Sequence, residues 1–203
     1  MKKVIFDIGA NDGKEVFERA QDPNTITYAF EPTRELLTHY LWPSADRYLN
    51  VIIVPFAIDT TNTFKLFNVA GQGDWGCSSL YEFTDDILTK WPGRSDFSKT
   101  HSYTVPTITL FDFCELYGIT SIGYLEIDAQ GSDFNVLKSL KDKIKIVKSG
   151  MIEGSNNGDL YKGVDNRVEH IREYLIDNGF NIVGEFANDH LSAEVNIHFE
   201  KQS

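Results

Sequence analysis

The chain has 203 residues and a mass of 23.0 kDa, room for one packed core and too little for two. With 41% hydrophobic, 13% aromatic and 24% charged residues, its composition is globular and excludes global disorder or a fibrous repeat. A formal net charge of −11 and a pI near 4.8 disfavour nonspecific attraction to nucleic-acid phosphates or anionic lipid.

No apolar run approaches the roughly 20 residues of a membrane span. Met1-Lys2-Lys3 leads straight into a strand-like run without a signal-peptide core, so a cytoplasmic protein without membrane insertion is expected. Cys77 and Cys114 are too few for a disulfide framework, have no metal-type spacing and read as packing residues in a reducing compartment.

Lys3 to Ile8 (KVIFDI) is a short apolar run ending in turn residues, and Val16, Phe17 and Ala20 then share a helical face. Asp12, with Glu15 three residues on, has the spacing of a capping box for that helix. Ile26 to Phe30 reads as a second strand, followed by Glu31-Pro32 and a helix with Leu36, Leu37, Tyr40 and Leu41 on one side. Val51 to Ile58 is apolar on both faces, as a covered parallel strand should be, and Pro55 ends or bulges it early. Phe64 to Val69 is a further short strand. Between Gly71 and Tyr103 the periodicity fails, which reads as an insertion or lid over the sheet at about 71–103.

Thr109 opens a helix with Asp112 in its first turn, and Gly118 ends it. Gly123 to Asp128 is a strand, Ser132 to Leu140 a helix, and Ile146 to Glu153 the next strand. Val164, Val168, Ile171, Leu175 and Ile176 lie at helical spacings before Gly179. Phe180 to Phe186 and Glu194 to Glu200 close the chain as strands, and the short link between them requires antiparallel pairing. The expected architecture is α/β, a mostly parallel sheet with one reversed strand, in a single domain spanning 1–203.

The stretch Asp7-Ile8-Gly9-Ala10-Asn11-Asp12-Gly13 has the form DxGxxxG directly after the first strand. It lacks the GxGxxG of a dinucleotide site, and Asp7 and Asp12 would repel a pyrophosphate. An acidic loop suits a cationic ligand such as the sulfonium of S-adenosylmethionine. Glu31 closes the second strand, where a carboxylate can accept hydrogen bonds from both ribose hydroxyls or serve as a helix N-terminal charge.

Together with these stretches, FEP at 30–32, the strand end at Ala57, SSL at 78–80, VPTITLFDFCELYGI at 105–119 and LEIDAQGSDFNVLKSL at 125–140 make the chain resemble the FkbM family of S-adenosylmethionine-dependent methyltransferases. The resemblance implies a Rossmann-like, seven-stranded class I methyltransferase sheet of order 3-2-1-4-5-7-6, strand 7 antiparallel, with helices on both faces. It implies S-adenosyl-L-methionine as cofactor and O-methylation of a hydroxyl on a carbohydrate or small-molecule metabolite. By position, Asp7, Gly9, Ala10, Asn11 and Gly13 would border the methionine part, Glu31 the ribose, and Phe30, Pro32, Ala57 and Ile58 the adenine. Asp128 would lie beside the transferable methyl. The family often reads DxEGxE in its fourth-strand stretch, where this chain has Gln130 and the shorter Asp133.

Three residues stand as candidate bases at the carboxyl edge of the sheet: Asp128 first, then Glu153 and His190, the last in the 187–193 loop with Asp189. Asp128 and Glu153 could together hold a divalent cation as hard oxygen ligands, but the sequence defines no third ligand, so no metal is expected. The insertion aromatics Trp75, Tyr81, Phe83, Trp91, Phe97 and Tyr103 read mostly as a small satellite core, with stacking on an acceptor as the alternative. Ser78 and Ser79 are expected to hydrogen-bond near the cofactor edge. The competing readings are a non-catalytic S-adenosylmethionine-binding module and a nicotinamide-dependent oxidoreductase. A nucleic-acid partner is not expected unless Lys90, Arg94 and Lys99 build a local basic face. Oligomeric state is left open.

Overall fold

Side-chain alternation in the first two strands sets the frame of the molecule. In β1 (Lys3–Ile8) Phe6 and Ile8 face one side; in β2 (Thr25–Phe30), paired parallel with it, Tyr28 and Phe30 join them while Ala29 faces the other. The computed structural model, which describes residues 2–71, 75–94, 96–156, 160–188 and 193–202, extends this pair into a seven-stranded sheet. The added strands are β3 (Val51–Val54), β7 (Tyr124–Ile127), β8 (Ser149–Ser155), β9 (Phe180–Ala187) and β10 (Glu194–Lys201). The order is β3-β2-β1-β7-β8-β10-β9, the expected 3-2-1-4-5-7-6 when only these strands are counted. β10 runs antiparallel to both β8 and β9, as the short link before it demands.

On one face α5 (Leu110–Tyr117), α6 (Asp133–Ser139) and α7 (Val168–Asp177) bury Leu110, Phe113, Leu137, Ile171 and Leu175 against the sheet. Phe113 meets Phe6, Tyr28 and Phe30 at ring separations of 5.7, 5.5 and 4.8 Å, edge to face. On the other face α1 (Lys14–Arg19) and a helical stretch from Arg34 to Ala45 place Val16, Leu37 and Leu41 on Ala10 and Ala29. That stretch contains a π turn over Leu37–Leu41, whose wider winding leaves Tyr40 45% exposed rather than beside Leu36 and Leu37. No helix among the described residues is long and apolar enough to cross a membrane.

The caps separate the two helices whose starts the sequence marked. Thr109 Oγ1 accepts the Asp112 N–H at 3.0 Å, and Gly118 at φ +63 ends α5, as expected. At α1 the expected box does not form. Gly13, at φ +80, directly precedes the helix, Asp12 Oδ1 accepts the Lys14 N–H at 3.0 Å, and Glu15 pairs with Arg19 instead.

Pro55 does end β3, and Ala57–Ile58 becomes β4 of a second, three-stranded sheet with β5 (Thr63–Ala70) and β6 (Lys99–Ile108), in the order β4-β6-β5. Lys99 to Tyr103, read from sequence as part of the aperiodic insertion, therefore belongs to a strand. Its run KTHSY is polar and largely solvent-facing, which conceals it. The rest of the insertion buries Cys77, Ile87, Trp91 and Phe97 with Leu160, Tyr161 and Val164, the satellite core expected for most of its aromatics. Val164 thus lies before α7, Ile176 is exposed, and Ile146 ends a 3-10 turn (Lys141–Ile146) ahead of β8.

Two contacts tie β1 to its neighbours. Gly9, at φ +88, lies so close to β7 that a Cβ there would stand 1.8 Å from the Asp128 carbonyl oxygen. Gly9→Ala is expected to destabilise the fold by at least about 2 kcal/mol in denaturant unfolding, since both the backbone conformation and the space are denied to alanine. The second contact is ionic. Arg19 donates to Asp7 at 2.7 Å, to Glu15 at 3.0 Å and to Glu126, so one guanidinium serves three carboxylates. Burial and the neighbouring carboxylates push Glu126 up to about 9, and burial pushes Asp7 up to about 6. A carboxyl held above its unfolded value stabilises the fold when protonated, and that stabilisation is lost as pH rises toward 9. Glu126→Gln should remove this loss: unfolding titrations should find it more stable than wild type by about 1 kcal/mol at pH 9, with the gap closing toward pH 4.

Candidate active site

The carboxyl ends of β1, β2 and β7 open into one cleft, roofed by the second sheet and the insertion. Of the residues expected around the cofactor, Gly9, Asn11, Phe30, Glu31, Pro32, Ala57, Ile58 and Asp128 line it. Asp7, Ala10 and Gly13 do not. Asp7 is taken by Arg19, Ala10 packs with Val16 and Ala29, and Gly13 sits where a Cβ would come within 2.6 Å of Leu41 and Phe17. These three shape the loop from behind.

Glu31 is buried and clips two segments together. Its Oε2 accepts the Asn11 N–H at 2.9 Å and its Oε1 the Thr33 N–H at 2.8 Å, yet burial still pushes it up to about 7. Each oxygen keeps a second lone pair for a ligand donor. Asn11 and Gln130 are both held in the left-handed region, at φ 49 and φ 50, one on each side of the cleft floor. Non-glycine residues there mark over-determined backbone of the kind that gathers at functional sites.

Asp128, half-buried at the end of β7, belongs to a trio with Glu153 and Asp133 whose carboxylate oxygens lie within 4.8 Å of one another. Glu153, buried on β8, does not line the cleft but lies behind Asp128, with Asn188 Nδ2 donating to it at 2.5 Å. Asp133 was no candidate from sequence. Its oxygens accept the N–H groups of Ala129 and Gly131 and the amide of Asn166, at 2.5, 3.0 and 2.8 Å, and so shape the turn after β7.

Three carboxylates this close cannot all ionise in a low-dielectric pocket. Burial and its acidic neighbours raise Glu153 well above the usual range, and burial raises Asp128, opposed by hydrogen bonds from Gln130 and Glu153. Burial and Asp128 also push Asp133 up to about 7, and of the three only Asp128 lines the cleft. His190 and Asp189 lie outside the described residues.

The structure adds residues that sequence reading gave no role. Gln130 Nε2 donates to Asp128 Oδ1 at 2.7 Å. Ser132 lines the cleft with a buried hydroxyl that has no hydrogen-bond partner among the described groups. Trp75, Arg94, Asn188 and Glu194 line the cleft as well; of these the sequence marked Trp75 as an insertion aromatic and Arg94 as an insertion cation, and gave no signal for the other two. Ser79 Oγ donates to the Gln130 carbonyl at 2.6 Å and Ser78 Oγ accepts the Ala70 N–H at 3.0 Å, so both serines bond at the cleft edge. Lys90, Arg94 and Lys99 are paired with Asp86, Asp96 and Glu82 and form no uncompensated basic face.

Comparison with known proteins agrees with this geometry. Residues 7–182 match the methyltransferase FkbM domain. A search of curated proteins found no significant match. Among solved structures, an rRNA methylase from Streptococcus thermophilus is similar in fold, with 10% identity and a TM-score of 0.54 over 100% of this chain and 88% of that one. Trm5b from Pyrococcus abyssi is similar over 98% of this chain and 45% of its own, with 13% identity and a TM-score of 0.50. At such identities the likeness is one of fold.

Two features of the cleft fit S-adenosylmethionine. Ser132 holds an orphaned buried hydroxyl, and Glu31 offers a carboxylate able to take hydroxyl donors. With its seven-stranded Rossmann-like sheet and a domain match covering most of its length, the chain belongs to the FkbM family of S-adenosylmethionine-dependent methyltransferases.

Proposed function

We propose that this protein methylates a hydroxyl group of a carbohydrate or small-molecule metabolite, with Asp128 as the base. The observation that carries the reading is the geometry of the acidic trio: Asp128 lies at the cleft surface and accepts from Gln130 through one oxygen, while Glu153 is buried behind it. When bound, S-adenosylmethionine supplies a methyl group on cationic sulfur, already activated for displacement. Gly9 and Asn11 would border its methionine end, with Ala10 and Gly13 shaping that loop from behind; Glu31 would take the ribose hydroxyls, and Phe30, Pro32, Ala57 and Ile58 would surround the adenine. Asp7, turned toward Arg19, supports this loop from behind.

Asp128 removes the acceptor hydroxyl proton as the oxygen attacks, an assistance worth roughly 10² to 10⁴ in rate. Glu153 lies buried behind Asp128 and does not face the acceptor. An acidic floor also favours the positive sulfur over a diphosphate, which disfavours a nicotinamide cofactor. The far end of the cleft fits a ring-shaped polar acceptor. Trp75 is stacked on His39 by one face, at 5.5 Å and 9°, and the cleft beside it carries Asn188, Arg94, Ser132 and Glu194. The chain's charge of −11 and the paired insertion cations argue against a nucleic-acid acceptor. Two buried thiols, Cys77 and Cys114, fit action in a reducing cytoplasm.

Calorimetry with S-adenosylhomocysteine tests the cofactor half. Ribose hydroxyls favour ionised Glu31, so affinity should rise up to about tenfold between pH 6 and pH 8 as a carboxyl titrating near 7 loses its proton. Glu31→Gln should bind at least about tenfold more weakly and lose that pH dependence. No binding by wild type, or equal binding by the variant, removes the assignment. For the chemical half, Asp128→Asn should retain S-adenosylhomocysteine within about threefold. It should transfer labelled methyl to monosaccharide acceptors about 10²-fold more slowly than wild type. Transfer at the wild-type rate would exclude Asp128 as the base.

A further inference from the structure

Asp128 is held by an amide whose own orientation is fixed from behind. Gln130 follows it by two residues in the left-handed conformation, which costs a side-chain-bearing residue roughly 1–2 kcal/mol. Its backbone is locked there by Ser79 Oγ, which donates to the Gln130 carbonyl at 2.6 Å from the far side of the cleft.

The side chain is locked at both ends. The Tyr161 hydroxyl donates to Gln130 Oε1 at 2.8 Å, and this turns Nε2 toward Asp128 Oδ1 at 2.7 Å and Glu153 Oε2 at 3.5 Å. A reversed amide would press its oxygen on two carboxyl groups, so the hydroxyl and the acids select the same orientation. Tyr161 has no freedom to follow another arrangement. It is buried, stacks on Phe83 at 5.2 Å, and packs so tightly on Gly131 that a Cβ there would come within 2.4 Å of its ring.

We propose that Tyr161 and Gln130 form a positioning relay for the methyl-transfer base: Tyr161 fixes the amide, and the amide holds Asp128 Oδ1 so that Oδ2 is presented to the acceptor. The relay rests on Asp128 being that base. Among the described residues, the ionisable groups that act on Asp128 from the packed elements are Glu153 on β8, Asp133 on α6, Asp7 on β1 and Glu15 on α1, all acidic, with Tyr161 and Glu194 acting on Glu153 behind it; the cation Arg94, paired with Asp96, lines the same cleft. In that setting a neutral N–H donor at position 130 is what keeps Asp128 available as an anion. A glutamate there would add a fourth carboxylate to the trio.

The test needs no identified acceptor. In protein labelled with 13C at the aspartate side-chain carboxyl, NMR titration gives the midpoint of Asp128, its resonance assigned by its loss in Asp128→Asn. Tyr161→Phe frees the amide, and Gln130→Met removes it at similar volume. Each should raise the Asp128 midpoint by about one pH unit, a tenfold gain in proton affinity, because the anion loses a donor. S-adenosylhomocysteine affinity at pH 8 should change by less than about threefold. A lowered unfolding temperature with an unmoved midpoint would show Tyr161 and Gln130 to be packing groups only and overturn the relay. Should Tyr161→Phe fail to fold, Gln130→Met reads the same quantity. The two ideas fail separately: wild type that does not bind S-adenosylhomocysteine defeats the cofactor assignment, whereas an unmoved midpoint in protein that binds it defeats the relay alone.

Discussion

The structure turns on a place where backbone meets backbone without room for a side chain. The turn leaving β1 passes so near the end of β7 that Gly9 and the Asp128 carbonyl share the space a methyl group would need. That approach brings the floor of the cleft together: the loop 9–13 on one side, the turn 128–133 on the other, and Glu31 clipping the first of these to the helix that follows β2. Both turns contain a residue forced left-handed, Asn11 and Gln130, and both are tied down by hydrogen bonds from outside themselves. Pre-set backbone of this kind lets a ligand be aligned without reorganising the protein.

A second theme is the concentration of buried acid with little cationic compensation. On the α1 side Arg19 is shared by three carboxylates, and on the cleft side Asp128, Asp133 and Glu153 are relieved by amides and backbone N–H groups rather than by a cation. Burial and acidic neighbours raise the affinity for a proton in both groups, most at Glu126 in one and at Glu153 in the other. In the cleft the buried Glu153 and the surface Asp128, which accepts from Gln130, are thereby set apart.

Much of this was legible in the sequence. The apolar run KVIFDI, the β-rich run ITYAF, the Thr109 cap with its closing Gly118, and the short link before β10 pointed to strands, helix ends and the reversed strand, because each rests on local chemistry, whereas the strand order came with the family resemblance. What escaped depended on non-local contacts. KTHSY shows no strand pattern because its pairing with β5 leaves it facing water, and the π turn that exposes Tyr40 leaves no compositional trace. In the site, Asp128, Glu31 and the glycines could be placed by motif. Asp7 fits the same motif, yet its carboxylate is claimed by Arg19, twelve residues on, and Asp133 and Gln130 are fixed in part by Asn166 and Tyr161, far along the chain.

The insertion is tied to the rest of the cleft at several points, among them Ser79 to the Gln130 carbonyl, Tyr81 to Asn135 and the Cys77 carbonyl to Tyr161. Between β5 and β6 it hangs from the small second sheet, and its core around Trp91 and Phe97 is completed by Leu160, Tyr161 and Val164 from beyond β8. Its outward surfaces can therefore drift while the floor of the cleft stays as it is. A scaffold with that division can be re-aimed at new molecules by changing one loop, provided the loop keeps its ties to the turn after β7 and to the segment 160–164.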